Sequence, residues 1–407
     1  MEVVLDIPEL LAPAGNLEKL ETALRFGADA VYLGVERFSL RSQAGNLPLK
    51  DLGKACEQVH AAGAKAYLTL NAFLRPGEEG ECRHLLEELR RMPVDAYIVA
   101  DPGMLALVRQ LDPGRELHLS TQANTCNAAA AEFWHSAGVK RLNLARELTL
   151  EEIRAIRAGT RIELEVFVHG AMCVAYSGRC LLSAALTGRS ANQGECAQSC
   201  RWEYTVQEAM RPGDFHPIEE DERGTYLFNS YDLCLIEHLP ELIGAGVNSL
   251  KIEGRMKSVY YVAAVTRVYR AALDAFRQNP EGYQCDPAWF RELEKVSHRP
   301  YGSGFLFGND KPRVHPEDSG YRRSTDFVGV VLKDYGPEGW LVEGRNRFES
   351  GERLELIGPG MRQAHFEVPV ARNREGQRLS VVQPNSHVLM SLPAGTCAGD
   401  LLRRVHG

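Results

Sequence analysis

The first 255 residues alternate two patterns. Short, almost continuously apolar runs are each followed by an amphipathic stretch of helical period, then by small residues ending in glycine. The apolar runs are Glu9–Ala12, Ala30–Gly34, Lys65–Asn71, Ala96–Ala100, Leu117–Thr121, Arg141–Leu144, Glu163–Val168 and Ser249–Glu253. Most are β-branched or aromatic in character, as strands buried on both faces are. After the first run, Asn16 is placed to cap a helix, and Leu17, Leu20 and Leu24 share one face of it. Gly27 supplies the left-handed residue that closes it. The same stop recurs at Ala62-Gly63-Ala64, Ala137-Gly138-Val139 and Ala245-Gly246-Val247, each just before a strand. Repeated β/α units predict an α/β fold with one parallel sheet, and eight strands predict a closed, TIM-like (β/α)8 barrel. A doubly wound open sheet is the alternative, but the first βα turn, Ala14-Gly15-Asn16, lacks the dinucleotide fingerprint.

Two departures from this rhythm define the rest of the plan. About 80 residues separate the seventh and eighth runs, far more than a βα connection needs. This predicts an insertion over 170–247, between the last two strands, holding four cysteines and the charged stretch Glu219–Arg223. After the eighth run, Met256–Gln278 reads as one long helix. From about Ser324 helical spacing gives way to short strand-like runs punctuated by Gly and Pro: Val328–Leu332, Trp340–Glu343, Arg353–Ile357 and Leu379–Val382. The expected domains are a barrel over 1–296, a Gly- and Pro-rich basic connector over 297–324, and a small all-β barrel over 325–407. The connector carries His298, Arg299, Lys311, Arg313, His315, Arg322 and Arg323, a candidate contact to phosphates or a solvated linker.

Composition adds limits. Hydrophobic residues are 44% and charged residues 25% of the 407, which is ordinary globular usage. The formal charge of −7 excludes a histone-like protein that coats itself in nucleic acid, though not a local basic patch. The opening MEVVLDIPELLAPAG has neither a basic n-region nor a long apolar run, and no run reaches the length of a membrane span. The expectation is a cytoplasmic protein with no membrane partner.

The candidate chemistry lies at the C-terminal ends of the strands, where barrel side chains share one mouth. Those ends carry Asn71, Asp101, Ser120, Gln122, Arg146, His169, Glu253 and Arg255, polar residues where the chain is otherwise apolar. Asn71, Gln122, Arg146, Arg255 and the nearby Lys257 are candidate substrate-binding residues. The guanidinium forks of Arg146 and Arg255 suit a small anionic co-substrate or a phosphate. His169 and Glu253 are candidates for proton transfer. Directly after the seventh strand come Cys173, Cys180, Cys196 and Cys200, separated by six, fifteen and three residues. Four thiolates on loops can hold an iron–sulfur cluster or structural zinc. Zinc fingers use tight pairs and only the last pair here is close, so the spacing favours a [4Fe–4S] cluster. Cys234 reads as a buried thiol, and the other five cysteines as scattered core or surface residues.

The run Glu165-x-Phe167-x2-Gly170-Ala171-Met172-Cys173-x4-Gly178-x-Cys180-x-Leu182-Ser183 resembles the signature of the collagenase-like peptidase (U32) family. Glu9-Leu10-Leu11-Ala12-Pro13-Ala14-Gly15-Asn16, Asn229-Ser230-x-Asp232-Leu233 and Ser249-Leu250-Lys251-Ile252-Glu253-Gly254-Arg255-x-Lys257-Ser258 extend the resemblance over nearly the whole chain. It is nearest to the family's tRNA-hydroxylating branch. The resemblance implies a barrel whose four cysteines, Cys173, Cys180, Cys196 and Cys200, hold a [4Fe–4S] cluster. It also implies formation of 5-hydroxyuridine at the wobble position of tRNA, drawing on prephenate and not on dioxygen. Sister branches hydroxylate a 23S rRNA cytidine or a quinone precursor. The peptidase name itself finds little support in the residues. There is no Gly-x-Ser-x-Gly elbow and no His-Glu-x-x-His pair, and a cluster-bound Cys173 could not serve His169 as a nucleophile.

Overall fold

The computed structural model describes residues 6–40, 45–172, 180, 182–191, 195–202, 220–221, 224–225, 231–308 and 323–406. They fall into two compact units, one drawn from 1–24, 28–257 and 299–321, the other from 25–27, 258–298 and 322–407. Cys173, Gly178 and Gly194, and the connector residues Lys311, Arg313, His315 and Arg322, lie outside the described residues.

In the first unit the strands are β1 (Glu9–Pro13), β2 (Ala30–Gly34), β3 (Lys65–Leu70), β4 (Ala96–Val99), β5 (Glu116–Leu119), β6 (Arg141–Asn143) and β7 (Glu163–Ala171). The two-residue strands β8 (Glu220–Asp221) and β9 (Gly224–Thr225) pair only with each other. Then come β10 (Asp232–Cys234), β11 (Ser249–Ile252) and β12 (Tyr301–Gly302). Strands β1 to β7 pair in order and in parallel, and β11 pairs with both β1 and β7, which closes an eight-stranded parallel barrel. This is the TIM-like fold that the apolar runs predict. The strand–helix junctions follow the local chemistry. Asn16 accepts the Lys19 N–H at 2.9 Å and starts the first helix, Leu17–Arg25. Gly27, Gly63, Gly138 and Gly246 all take positive φ, from +75° to +100°, at the stops before strands.

Several boundaries differ from expectation by one to three residues, and three of them have a clear local reason. β5 ends at Leu119 because the Ser120 hydroxyl accepts from Gln122 N and caps a 3-10 turn, Thr121–Ala123. The long helix begins at Val259, not Met256. Lys257 N donates to Gly254 O in a turn, and the Ser258 hydroxyl caps the helix by accepting from Tyr261 N. β7 runs three residues past Val168, because β10 pairs antiparallel with Gly170 and Ala171 and itself pairs with β12.

The second unit joins helices Val259–Gln278 and Pro287–Leu293 to an antiparallel, curled sheet. Its strand order is Gln363–Glu367, Arg353–Ile357, Leu401–Val405, Thr325–Asp334, Trp340–Gly344, His387–Met390, Ala371–Arg372 and Arg378–Leu379. Val328, Val331, Val342, Phe348, Leu354 and Leu402 lead its apolar core. A buried ionic cluster sits within this unit. Arg403 binds Glu292 through both terminal nitrogens at 2.5 and 2.8 Å and binds Glu355 through Nε at 2.6 Å. Arg267 meets Glu292 at 2.5 Å from the other side. No helix among the described residues is long and apolar enough to cross a membrane.

Candidate functional site

The barrel interior is polar where branched aliphatic layers are the norm. Polar side chains alternate with apolar ones along β6, β7 and β11 and meet inside. Arg141 donates to Glu9 at 2.5 Å and to Glu163 at 2.8 Å. Tyr67 donates its hydroxyl to the other Glu9 oxygen at 2.7 Å. Nearer the mouth, Lys251 Nζ lies 2.7 Å from Glu165 Oε1, and the Ser249 hydroxyl donates to Glu165 Oε2 at 3.2 Å. Burial alone would push the Glu165 carboxyl up, but Lys251 and Arg141 outweigh it and hold it below its ordinary value. A buried carboxylate between two cations is thereby a fixed counter-charge under the mouth.

Above this column opens a cavity lined by six of the residues expected there: Asn71, Ser120, Gln122, Arg146, Glu253 and Arg255. They come from the ends of four different strands, β3, β5, β6 and β11, so the barrel's closure brings them together. Arg255 is buried, and its guanidinium donates to Ser39 Oγ and Leu40 O at 2.9 Å and to Thr69 Oγ1 at 3.0 Å, and also to Asn46 Oδ1. It fastens the β2–α segment across the mouth. Asn71 helps by accepting Leu40 N at 3.0 Å and donating to Ser120 Oγ at 3.3 Å. Arg146 donates to Ala171 O at 2.9 Å and lies over the Phe167 ring at 4.8 Å. Lys251 and Asn143 also line the cavity and were not singled out as site residues from the sequence. Their signal was there: a lysine inside a strand buried on both faces, and Arg141 and Asn143 alternating with Leu142 and Leu144.

Three expected residues do not line this cavity: Asp101, His169 and Lys257. Asp101 caps helix Pro102–Leu111, accepting from Met104 N at 2.8 Å. His169 is buried on β7, its ring 5.2 Å from that of Tyr301 and its Nε2 3.4 Å from the Tyr301 hydroxyl. Lys257 is half-buried in the turn before the long helix. Of the four cysteines expected to hold a cluster, Cys180, Cys196 and Cys200 are half-buried and not disulfide-bonded. Among the described residues no three His, Cys, Asp or Glu side chains converge on one metal-sized point. Gln198 N donates to the Cys196 sulfur at 3.4 Å, the backbone-to-sulfur contact that thiolate ligands accept. By contrast, burial pushes the Cys56 thiol up to about 12 and the Cys82 thiol up to about 11. Those two are inert core groups, and Cys234 is buried as well.

Two family models cover the chain. Peptidase family U32 matches residues 15–316, and the Peptidase family U32 C-terminal domain matches 323–403. The tRNA hydroxylation protein P1 of Bacillus subtilis is 38% identical over 383 residues, covering 94% of this chain and 90% of that protein. The tRNA hydroxylation protein P of Escherichia coli is 36% identical over 424 residues, covering 94% and 93%. The 23S rRNA 5-hydroxycytidine C2501 synthase of Escherichia coli is 42% identical over 331 residues, covering 80% of this chain and 48% of that protein. With both family models matched in sequence order and relatives of this identity over its length, the chain belongs to peptidase family U32.

Proposed function

We propose that this chain is an RNA-modifying enzyme that hydroxylates tRNA, converting the wobble uridine to 5-hydroxyuridine. The observation that carries the reading is full-length similarity to two tRNA hydroxylation proteins, each matched over nine-tenths or more of both chains. The polar barrel mouth supports it, since one cavity there gathers Asn71, Gln122, Arg146, Glu253 and Arg255. Replacing a ring C–H by C–OH is a two-electron oxidation that brings in one oxygen, so the reaction needs an acceptor for two electrons and an oxygen source besides the uridine. Cys173, Cys180, Cys196 and Cys200 would hold a [4Fe–4S] cluster, whose donor chemistry their thiols fit. The cluster supplies one-electron chemistry when bound. Prephenate is the proposed small anionic co-substrate, used without dioxygen. Glu253 lies in the cavity and is placed to move a proton there. His169, held against Tyr301, is the second candidate for moving a proton. Arg146, on the cavity wall, offers charge to an anion, and Lys257, in the turn after β11, is a further candidate. The proposed place of work is the cytoplasm, where tRNA is.

Nucleoside mass spectrometry on tRNA and rRNA from a strain lacking the gene tests this directly. Loss of 5-hydroxyuridine and its derivatives from tRNA alone is the expected result. Loss of 5-hydroxycytidine from rRNA would assign the chain to the rRNA reaction, and unchanged nucleosides in both pools would refute an RNA substrate. The cluster has its own test. The Cys173→Ala protein should lose iron and brown colour together, and full iron retention would contradict the assignment.

A further inference from the structure

We infer that Lys251, with Asn143 and Gln122, forms a carboxylate-binding floor in the barrel mouth, the docking point for a small hydroxy-carboxylic acid. The inference rests on the mouth being the catalytic site.

Lys251 projects inward from β11 and is only 4% exposed. Its ammonium carries three N–H donors, and Glu165 Oε1 at 2.7 Å takes one of them. The Tyr32 and Phe167 rings flank it, with centroids at 4.7 and 5.6 Å. Those faces fix the ammonium without accepting a conventional hydrogen bond, so its remaining capacity is directed to the cavity it lines. In the same cavity Asn143 is 2% exposed, and its Oδ1 is buried with no protein hydrogen-bond partner. Gln122 Oε1 is in the same condition. A buried acceptor is costly to leave without a donor, so two of them lining one cavity with an ammonium suit a ligand that brings an O–H of its own. The complement is a molecule that brings an anionic oxygen to Lys251 and an O–H donor to the amide oxygens.

The neighbouring charges narrow the anion to a carboxylate. Arg255 turns its two terminal nitrogens to Ser39, Leu40, Thr69 and Asn46. Arg146 Nη1 is given to Ala171 O, and Glu253 places a carboxylate on the cavity wall. The floor itself offers one ammonium with an acidic wall beside it, which suits one carboxylate group of a ligand better than a phosphate dianion and leaves Arg146, on the same cavity wall, for a second carboxylate. Depth excludes the nucleic-acid backbone. Residues 2–4% exposed cannot be reached by a chain of phosphates, but the end of a small molecule can enter.

The test is calorimetric titration of the purified full-length protein with prephenate and, separately, with inorganic phosphate. Prephenate is expected to bind and phosphate not to. Lys251→Met alone would strand the buried Glu165, so the pair Lys251→Met with Glu165→Gln is used, with circular dichroism to establish folding. Prephenate binding should weaken at least tenfold in that variant and about threefold to tenfold in Asn143→Ala, which leaves the ion pair intact. Wild-type affinity in both folded variants would overturn the proposal, as would phosphate competing on equal terms. If wild-type protein binds no prephenate while the deletion strain lacks 5-hydroxyuridine, the floor is refuted and the hydroxylation reading stands. If binding depends on Lys251 while tRNA nucleosides are unchanged, the floor stands and the tRNA reading falls.

Discussion

A single guanidinium shows how much of the mouth depends on individual contacts. Arg255 reaches Ser39, Leu40 and Thr69 only because Gly34, at the end of β2, has no side chain. A Cβ there would overlap the guanidinium and the Ser39 hydroxyl. Gly34→Ala should therefore displace Arg255 and loosen the segment it fastens. The expected cost is about 1–3 kcal/mol, read as a lowered urea midpoint, with tRNA hydroxylation falling further than stability does. An unchanged midpoint would show that Arg255 has another route. Strand-end position told from the sequence that Arg255 stands at the mouth. It could not tell where its hydrogen bonds go, because Ser39, Asn46 and Thr69 lie about 190–220 residues away in the chain and only the closed barrel makes them neighbours. Lys251 was hidden for a related reason. A lone lysine in an apolar run reads as a strand end until its inward direction and its partner Glu165, 86 residues earlier, are known.

At the level of elements, helix Pro287–Leu293 and strand Leu401–Val405 are joined by charge. Glu292 is 3% exposed and lies between Arg403 and Arg267, both fully buried. Glu292→Ala leaves two buried cations short of their counter-ion and should cost about 3–5 kcal/mol, measured by chemical denaturation. Burial favours the neutral acid of Glu292, but Arg403 and Arg267 outweigh it and hold the carboxyl below its ordinary value; Glu355 behaves alike through Arg403 and Lys295. Carboxyls depressed in the folded state stabilise it above the unfolded glutamate range and lose that contribution as pH falls through about 4 and below. The melting temperature should therefore drop steeply on that acid limb, and Glu292→Gln should flatten the drop while lowering the neutral plateau. A parallel fall in both proteins would locate the acid sensitivity elsewhere. Elements with an apolar period were legible from the sequence, all eight barrel strands to within three residues of their ends. Strand Gln363–Glu367 was not. It is an edge strand, half exposed on alternate residues and polar at most positions, so no apolar run announces it.

For the molecule as a whole, a net charge of −7 sets how RNA can be held. Residues 326–407 contain ten Lys and Arg against ten Asp and Glu, so the β-domain has no excess to offer. A tRNA footprint must then be local and small. A contact to about three phosphates would weaken roughly fortyfold between 50 and 200 mM salt, and filter binding across that range measures it. Affinity indifferent to salt would argue for delivery of the RNA by a partner. The Arg403 cluster has a further consequence, for the order in which the molecule is made. Glu292 and Arg403 stand 111 residues apart, and the arginine is the later of the two. A ribosome translating this message completes the helix long before it reaches the strand that completes the cluster. Until then Glu292 has Arg267, 25 residues earlier, but not the guanidinium that also ties Glu355, so the final packing of the second unit must wait for translation to pass Val405.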